Sequence, residues 1–385
     1  MRGRFIFGLL IFCLVGVLFV KPSFAWLSGW DFRQAINISN TAGDLTNYQV
    51  RIDLNSTNVG SNFNWSNNGD DIRFTNSTDD LLNFWIESWN SSSQKAIIWV
   101  NVTSLPNNTN TTIYMYYGNP SASSASDGEA TFDFYNDFES IPPNEGEGNF
   151  QITDNTYLDT NGIGSGTYWH GPRGSYTLSN ALSDFEIKVK IKQTVSWSGI
   201  EREIIFLCNS SGEIIYQFAV GDYWSTDDAS VAELAKGGGT DYTNNTGKTS
   251  LYSSGKTSLW NDGEWIFKLS RLGSHLDFDY DNNDLWSGDS EVSTNIEMIK
   301  YAIQGYDDNI EITTHLIDWI RIRKYADPEP TVSSFGSEEG IPAGIIINVY
   351  DNQTNQSLTD WTAYFTNGTD EATFTNQNNP SSYYW

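Results

Sequence analysis

Aromatic side chains in predicted loops are the residues of this 385-residue sequence best suited to ligand chemistry. Trp169, Trp197 and the pair Tyr223-Trp224 lie in short stretches that contain glycine or several polar residues. Flat aromatic rings can stack on sugar rings, and Trp and Tyr add a polar group that can bind a hydroxyl. Most tryptophans of a β-sandwich pack in its core, so core packing stays open for each of them. The pattern predicts a carbohydrate contact, most clearly at Tyr223-Trp224.

Alternating carboxylates form a second candidate site. Asp277, Asp279 and Asp281 are followed by Asn283, and hard oxygen ligands at this spacing can hold calcium. An EF-hand loop also needs glycine at its sixth position and glutamate at its twelfth, and the chain has neither there. Apolar residues alternate with the acids, which is typical of a strand whose acids face solvent. A structural calcium site and a hairpin turning at residues 282–284 both stay open, and no other cofactor is expected.

The composition excludes several kinds of partner. The chain has 21 Lys and Arg against 48 Asp and Glu, which gives a net charge of −27. A surface this acidic repels phosphate backbones and anionic lipid, so we expect neither nucleic acid nor a membrane surface as partner. The two cysteines are Cys13 and Cys208, too few for a disulfide framework once the leader is removed.

The first 25 residues predict export. Arg2 and Arg4 precede an apolar run from Phe5 to Val20, and Ser23-Phe24-Ala25 has the small-x-small pattern of a cleavage site. Together they indicate a secretory signal peptide, with an uncleaved anchor helix as the alternative. No second apolar run of membrane length follows. We therefore expect a secreted or cell-surface protein that is not inserted in the membrane after cleavage.

Sequons for N-linked glycosylation support export. The Asn-x-Ser/Thr pattern predicts glycosylation at Asn37, Asn55, Asn64, Asn76, Asn90, Asn101, Asn107, Asn110, Asn209 and Asn244. Further sequons occur at Asn352, Asn355 and Asn367. A chain rich in Asn, Ser and Thr produces some sequons by chance, so single sites carry little weight. Their density still favours a glycosylated surface protein.

The segments that must position these residues are strands. Apolar residues recur with period two after the leader, as in Tyr48–Leu54 and Phe185–Ile191, and no long stretch has helical periodicity. The predicted fold class is all-β, with a β-sandwich domain followed by a jelly-roll sandwich.

Turn-rich and Pro-rich stretches set the predicted domain boundaries. The expected units are a signal peptide at 1–25, a β-sandwich at 26–128, a jelly roll at 131–326, a Pro/Gly-rich linker at 327–344, and the start of an immunoglobulin-like β module at 345–385. The last unit is too short to close a β domain, so we expect it to be incomplete.

An ordered set of motifs resembles a known family. The motifs are Gly29–Arg33, Asn47–Val50, Asp71–Phe74, Phe84–Glu87, Ile98–Val100 and Tyr114–Pro120. Together they resemble domain of unknown function 2341 (DUF2341) over about residues 26–130, a family of exported surface proteins of archaea and bacteria. The resemblance implies no established activity. Residues 131–326 are similar to a concanavalin A-like lectin/glucanase, or laminin-G-like, jelly roll, and the tail from Ile345 resembles an adhesin-type immunoglobulin-like module.

The jelly-roll resemblance raises the question of glycoside hydrolysis. Retaining glucanases of this fold carry Glu-x-Asp-x-x-Glu on one strand, because alternation aims the acids into one cleft. The nearest stretch here has Glu201, Glu203 and then Phe206 where the closing acid would stand. Without that acid the catalytic pair is incomplete, and the alternative is that both glutamates lie on the polar face of a strand. No catalytic residue is predicted.

These observations favour a non-catalytic secreted or cell-surface protein of an archaeon or bacterium. The expected partner is a polysaccharide or glycoprotein of the cell envelope, bound through the jelly roll in glycan binding or adhesion. The alternatives are a purely structural envelope or spacer protein and, less favoured, a secreted glycoside hydrolase.

Overall fold

Two β-sandwiches and a hairpin make up the structure, a computed structural model. It describes residues 26–146, 149–153, 157–160, 169–193, 201–222, 230–239, 248–254, 263–281, 283–306, 315–340, 360–366 and 371–377. The predicted signal peptide lies outside these residues. Within them, no helix has the length and apolar character needed to cross a bilayer.

The first sandwich is built from short antiparallel strands with alternating burial. Its strands along the chain are β1 (Phe32–Asn40), β2 (Leu45–Asn55), β3 (Arg73–Thr75), β4 (Leu81–Leu82), β5 (Phe84–Asn90), β6 (Lys95–Leu105) and β7 (Thr109–Tyr117). Sheet A has the order β23-β1-β7-β3-β4, where β23 is Thr331–Gly340, and sheet B has the order β2-β6-β5. The apolar sides of sheets A and B face each other and form the first core, with Ile36 and Ile98 fully buried in it.

The second sandwich is the larger one. A short helix α1 (Gly128–Thr131) leads into β8 (Phe134–Asn136), β9 (Phe150–Thr153), β10 (Tyr157–Thr160), β11 (Trp169–His170), β12 (Arg173–Leu182), β13 (Phe185–Gln193), β14 (Glu201–Cys208), β15 (Ile214–Asp222), β16 (Ser230–Lys236), β17 (Thr249–Ser253), β18 (Gly263–Leu272), β19 (His275–Tyr280), β20 (Asn283–Asp289), β21 (Ile296–Tyr306) and β22 (His315–Lys324). Sheet C has the order β20-β19-β18-β13-β22-β10-β9, with β8 also on β22. Sheet D has the order β11-β21-β14-β15-β16-β17, with β12 also on β21.

The predicted fold class, a β-sandwich followed by a jelly-roll sandwich, is confirmed. Sheets C and D enclose a second apolar core, and the outer face of sheet C packs against the outer face of sheet B. The two sandwiches therefore form four stacked layers in the order A, B, C, D. In the predicted immunoglobulin-like segment the structure describes one hairpin, β24 (Asp360–Thr366) with β25 (Glu371–Gln377).

The predicted linker at 327–344 is wrong for residues 331–340. These residues form β23, which pairs with β1 from Ser39↔Thr331 to Phe32↔Gly340. Val332 and Phe335 pack against the first core, and the Ser, Gly and Glu residues around them are tolerated because β23 is an edge strand. The jelly roll is therefore inserted between β7 and the last strand of the first sandwich.

Candidate binding cleft between the two sandwiches

The contact between sheets B and C is built around two buried arginines of β22. Successive side chains of a strand point to opposite faces, so Ile320 and Ile322 face sheet D while Trp319, Arg321 and Arg323 face sheet B. Arg321 is 0% exposed and Arg323 is 1% exposed. Charged side chains are rarely buried to this degree unless they are paired. Their partners therefore define this surface, which we call the B–C interface.

Aromatic rings and one carboxylate surround Arg321. Its guanidinium lies 4.5 Å from the Trp99 ring centroid and 5.6 Å from that of Trp85, with Phe132 and Trp319 at similar distances. Arg321 Nη1 donates to Glu87 Oε2 at 2.9 Å, while Nε and Nη2 donate to no acceptor. Four ring centroids lie within 5.6 Å of the guanidinium carbon, and cation–π attraction replaces part of the missing hydrogen bonding.

Arg323 is held by carboxylates. Its Nε donates to Glu186 Oε1 at 2.9 Å, and its two terminal nitrogens donate to the two Glu329 oxygens at 2.8 and 2.7 Å. Nη1 also lies 3.3 Å from the Tyr48 hydroxyl, and the guanidinium lies 4.6 Å from the Trp99 ring centroid. Bidentate pairing of this kind fixes both partners in direction as well as distance.

The interface keeps Glu186 and Glu87 ionised. Burial opposes ionisation of Glu186, but Arg323, Lys188 and Arg321 outweigh it and lower the pKa of Glu186 below its usual value. Burial likewise opposes ionisation of Glu87, and Arg321 again prevails, so the pKa of Glu87 is also lowered. Burial lowers the pKa of Lys188 despite the nearby Glu186. The B–C interface is thus an ionic network at neutral pH.

An open cleft of ≈570 Å³ adjoins this network. It lies between the edge strands β2 and β23, and the outer face of sheet C forms its third side. Its lining is Arg51, Asp53, Asn55, Asn58, Trp99, Glu186, Lys188, Arg323, Glu329, Pro330, Thr331, Val332, Ser333, Ser334 and Phe335. Both sandwiches contribute, so the cleft exists only while the B–C interface holds them together.

Internal contacts fix most polar groups of the cleft. Arg51 Nη2 and Asp53 Oδ1 pair at 2.8 Å, and Asn58 Nδ2 donates to the Asp53 carbonyl at 2.8 Å. Ser333 Oγ donates to the Asn37 carbonyl at 3.1 Å. Lys188 differs, because its paired carboxylate oxygen, Glu186 Oε1, is 4.0 Å away and beyond hydrogen-bonding distance.

The predicted sugar-stacking residues lie almost entirely beyond what the structure describes. Trp169 is in β11, opposite Tyr306 of β21, and its side chain is not among the described ones. Trp197, Tyr223 and Trp224 lie outside the described residues. Their role in carbohydrate contact stays a prediction.

The structure does not bring the three predicted calcium ligands together. Asp279 Oδ2 pairs with Lys268 Nζ at 2.6 Å, and Asp281 Oδ1 accepts from the backbone N–H of Ile266 at 2.8 Å. No three His, Cys, Asp or Glu side chains converge in a metal-binding arrangement among the described residues. As the alternative predicts, β19 and β20 form an antiparallel hairpin, but Asn283 and Asp284 belong to β20 and not to the turn. Asp279 is 5% exposed, so the expectation that the acids of this strand face solvent is wrong for this residue.

The predicted glycosylation residues divide between turns and strands. At Asn55, Asn64, Asn76 and Asn209, the Asn Oδ1 accepts from both the backbone N–H and the hydroxyl of the Ser or Thr two residues on. Asx turns favour this spacing by themselves, so turn chemistry accounts for these four sequons without a glycan. The remainder lie on strands or in other turns, at Asn37, Asn90, Asn101, Asn107 and Asn110. Asn244 lies outside the described residues.

One of the two acids in the stretch compared with a glucanase motif is buried. Glu203 is 1% exposed, so the alternative that it lies on a polar strand face is wrong. Alternation places Glu203 on the same side of β14 as Ile205 and Leu207, which pack in the core between sheets C and D. Phe206 is buried on the other side. The side chain of Glu201 is not among the described ones.

Sequence reasoning missed the B–C interface. The signal was present in Trp319-Ile320-Arg321-Ile322-Arg323, whose odd positions combine an aromatic ring with two cations. Period-two reading assigns such a face to solvent, because its partners Trp85 and Trp99 lie more than 200 residues earlier in the chain.

Comparison with known proteins gives one family and several partial structural similarities. The family described as "Domain of unknown function (DUF2341)" matches residues 68–147, a range that contains Trp85, Glu87, Trp99 and Phe132 of the B–C interface. No curated protein matches the chain. The matched range begins later than the expected 26–130 and extends into the jelly roll.

Three solved structures illustrate the structural similarity. The CBM2 module of the evolved Dit of Lactobacillus casei BL23 phage J-1 is 16% identical, covers 50% of this chain and 94% of its own, and has a TM-score of 0.42. A family 16 glycoside hydrolase endo-glucanase from Bacteroides ovatus is 11% identical, with 49% and 99% covered and a TM-score of 0.37. Carbohydrate-binding module CBM66 from Bacillus subtilis is 10% identical, with 52% and 98% covered and a TM-score of 0.30. Similarity at this level is no basis for transferring a ligand or an activity.

Proposed function

We propose that this protein is a non-catalytic secreted or cell-surface protein that binds glycan and displays its jelly roll as the binding head. The observation that carries this proposal is the path of the chain. Phe32, at the start of β1, pairs with Gly340, at the end of β23. Paired residues of antiparallel strands have Cα atoms about 4.5–5.5 Å apart. The chain thus leaves the two-sandwich block beside the point at which it came in.

This path favours display over spacing. A spacer domain separates the point at which the chain enters it from the point at which the chain leaves it. Here β1 and β23 bring those two points together. The jelly roll, inserted between β7 and β23, stacks on the outer face of sheet B. Such a head is free to meet a ligand while the surrounding chain connects elsewhere.

A structural envelope role is the second candidate, and the B–C interface favours it. Arg321 and Arg323 lock the two sandwiches into one block, which suits a building unit of a surface layer as well as a binding head. The buried position of Glu203 supports neither a hydrolase cleft on β14 nor a catalytic role.

The test is glycan binding by the full chain, on a glycan array with and without calcium, followed by tryptophan fluorescence titration of each hit. We expect saturable binding whose jelly-roll component is lost in Trp224→Ala. Trp361→Ala, in the C-terminal hairpin, is the matched control and should bind as the unmodified chain does. Absence of binding to every glycan would contradict the proposal and leave the structural role ahead. Binding that requires calcium, and is lost in Asp277→Asn, would restore the calcium site.

A further inference from the structure

We infer that the cleft between β2, β23 and sheet C is a glycan-contacting site that takes an uncharged, hydroxyl-rich sugar unit. This inference rests on the proposed function and deepens it, because it adds a site on the opposite side of sheet C from the main jelly-roll core. The cleft volume of ≈570 Å³ falls within the roughly 300–1,000 Å³ of small-ligand pockets. It therefore has room for one or two sugar rings.

The charges of the cleft favour an uncharged ligand. Among its lining residues, three cations, Arg51, Lys188 and Arg323, face three carboxylates, Asp53, Glu186 and Glu329. Arg51 is taken by Asp53, and Arg323 by both glutamates. An anionic ligand would have to compete with these carboxylates, and a cationic one with the arginines. A neutral ligand can bind the remaining lone pairs and N–H groups without breaking a pair.

Fixed polar groups suit sugar hydroxyls. Asp53 and Asn58 are held by hydrogen bonds within the first sandwich, and Ser333 and Ser334 by contacts with Asn37. Groups that are already ordered lose little conformational entropy when a ligand binds. The Lys188 ammonium, with its paired carboxylate at 4.0 Å, keeps donor capacity for a ligand oxygen.

One wall of the cleft is apolar. Pro330, Val332 and Phe335 line it along β23 and the turn before it, and charged side chains of sheet C belong to the same lining. A sugar ring has an apolar C–H face and a rim of hydroxyls, so it can place one against each wall. A fully polar ligand such as an inorganic ion would leave the apolar wall unused.

The test compares two substitutions on the same strand. Ser333→Trp fills the cleft, and Ser337→Trp places the same side chain on β23 outside the lining. The probes are neutral gluco-, manno-, galacto- and xylo-oligosaccharides and trigalacturonate as the charged comparison. Because Asn55 lines the cleft, the full chain is produced in a host without N-glycosylation. Binding is measured by calorimetry.

We expect Ser333→Trp to weaken binding of a neutral oligosaccharide at least tenfold and Ser337→Trp to change it less than twofold. Lys188→Met should weaken it several-fold, which keeps the inference testable if Ser333→Trp does not fold. Unchanged binding in Ser333→Trp and Lys188→Met, or preference for trigalacturonate, would overturn the cleft assignment while the proposed function stands. If the unmodified chain binds no glycan, the proposed function fails and the assignment fails with it.

Discussion

The molecule has two kinds of contact between sheets, and β22 takes part in both. On one side of β22, Ile320 and Ile322 join an apolar core with sheet D. On the other side, Arg321 and Arg323 are as deeply buried but face the Glu87 carboxylate and tryptophan rings of sheet B. One face of β22 thus belongs to an aliphatic core, and its other face belongs to an interface of paired charges. Water is excluded from both.

The difference teaches how a domain contact can be made specific. An apolar contact gains about 25 cal/mol per Å² wherever apolar surfaces meet, and it tolerates small shifts. The B–C interface requires Glu87 of sheet B at hydrogen-bonding distance from Arg321, since an unpaired buried charge is strongly destabilising. It therefore fixes one orientation of the two sandwiches, and with it the shape of the cleft.

The largest expected effect comes from Arg323→Met. Removal of the guanidinium leaves Glu186 buried and without its closest cation, which costs about 3–5 kcal/mol of unfolding free energy. Urea unfolding followed by tryptophan fluorescence measures the loss. Ile322→Ala, one position away in the apolar core, is the matched comparison and should cost about 2–5 kcal/mol.

A double substitution distinguishes the ionic contact of β22 from its apolar contact. Glu186→Leu combined with Arg323→Met removes both charges and should recover much of the stability that Arg323→Met loses. If the double variant is no more stable than Arg323→Met, desolvation of the unpaired carboxylate is not the cause. No second substitution is expected to repair Ile322→Ala through charge.

The sequence predicts the two contacts unequally, for a physical reason. Alternation marks Ile320 and Ile322 as core because aliphatic side chains are stable only when they are buried away from water. An arginine such as Arg321 is stable either in water or buried among partners. Its partners here include Trp85 and Glu87, which come from a distant segment of the chain. The same holds for β23, where Val332 and Phe335 are too few among polar residues to indicate a strand before β1 is known to lie beside them.

Acid should loosen the B–C interface before it affects the apolar cores. The pKa values of Glu186 and Glu87 are lowered in the folded protein, so their stabilisation is complete above about 4.5, their usual value, and is lost as the pH falls through the lowered values. The loss should be smaller than that from Arg323→Met, because a protonated carboxyl can still accept a hydrogen bond. Unfolding free energy measured from pH 7 to pH 3 should decline less steeply in Glu87→Gln than in the unmodified chain. Ser337→Ala, which changes no ionisable group, should leave the decline as it was.

The edge strand β23 offers an intermediate effect. Phe335 is half-buried against the first core, so Phe335→Ala should cost about 2 kcal/mol, roughly half the loss for a fully buried phenylalanine. The exposed neighbour Ser337→Ala should change unfolding free energy by less than about 0.5 kcal/mol. Equal, negligible effects in both variants would mean that residues 331–340 behave as the linker that their composition indicates.

The smallest expected effect concerns an exposed ion pair whose N–O separation is close to that of the buried one. Arg51 and Asp53 meet at 2.8 Å, much as Arg323 and Glu186 meet at 2.9 Å, but their side chains are 47% and 61% exposed. Water solvates either partner when the other is removed, so Arg51→Met should cost less than about 1 kcal/mol. The loss should shrink further at high salt, whereas that of Arg323→Met should not, because buried pairs are screened much less. A loss of 3 kcal/mol or more in Arg51→Met would break the comparison, since burial would then not be what makes the arginines of β22 matter.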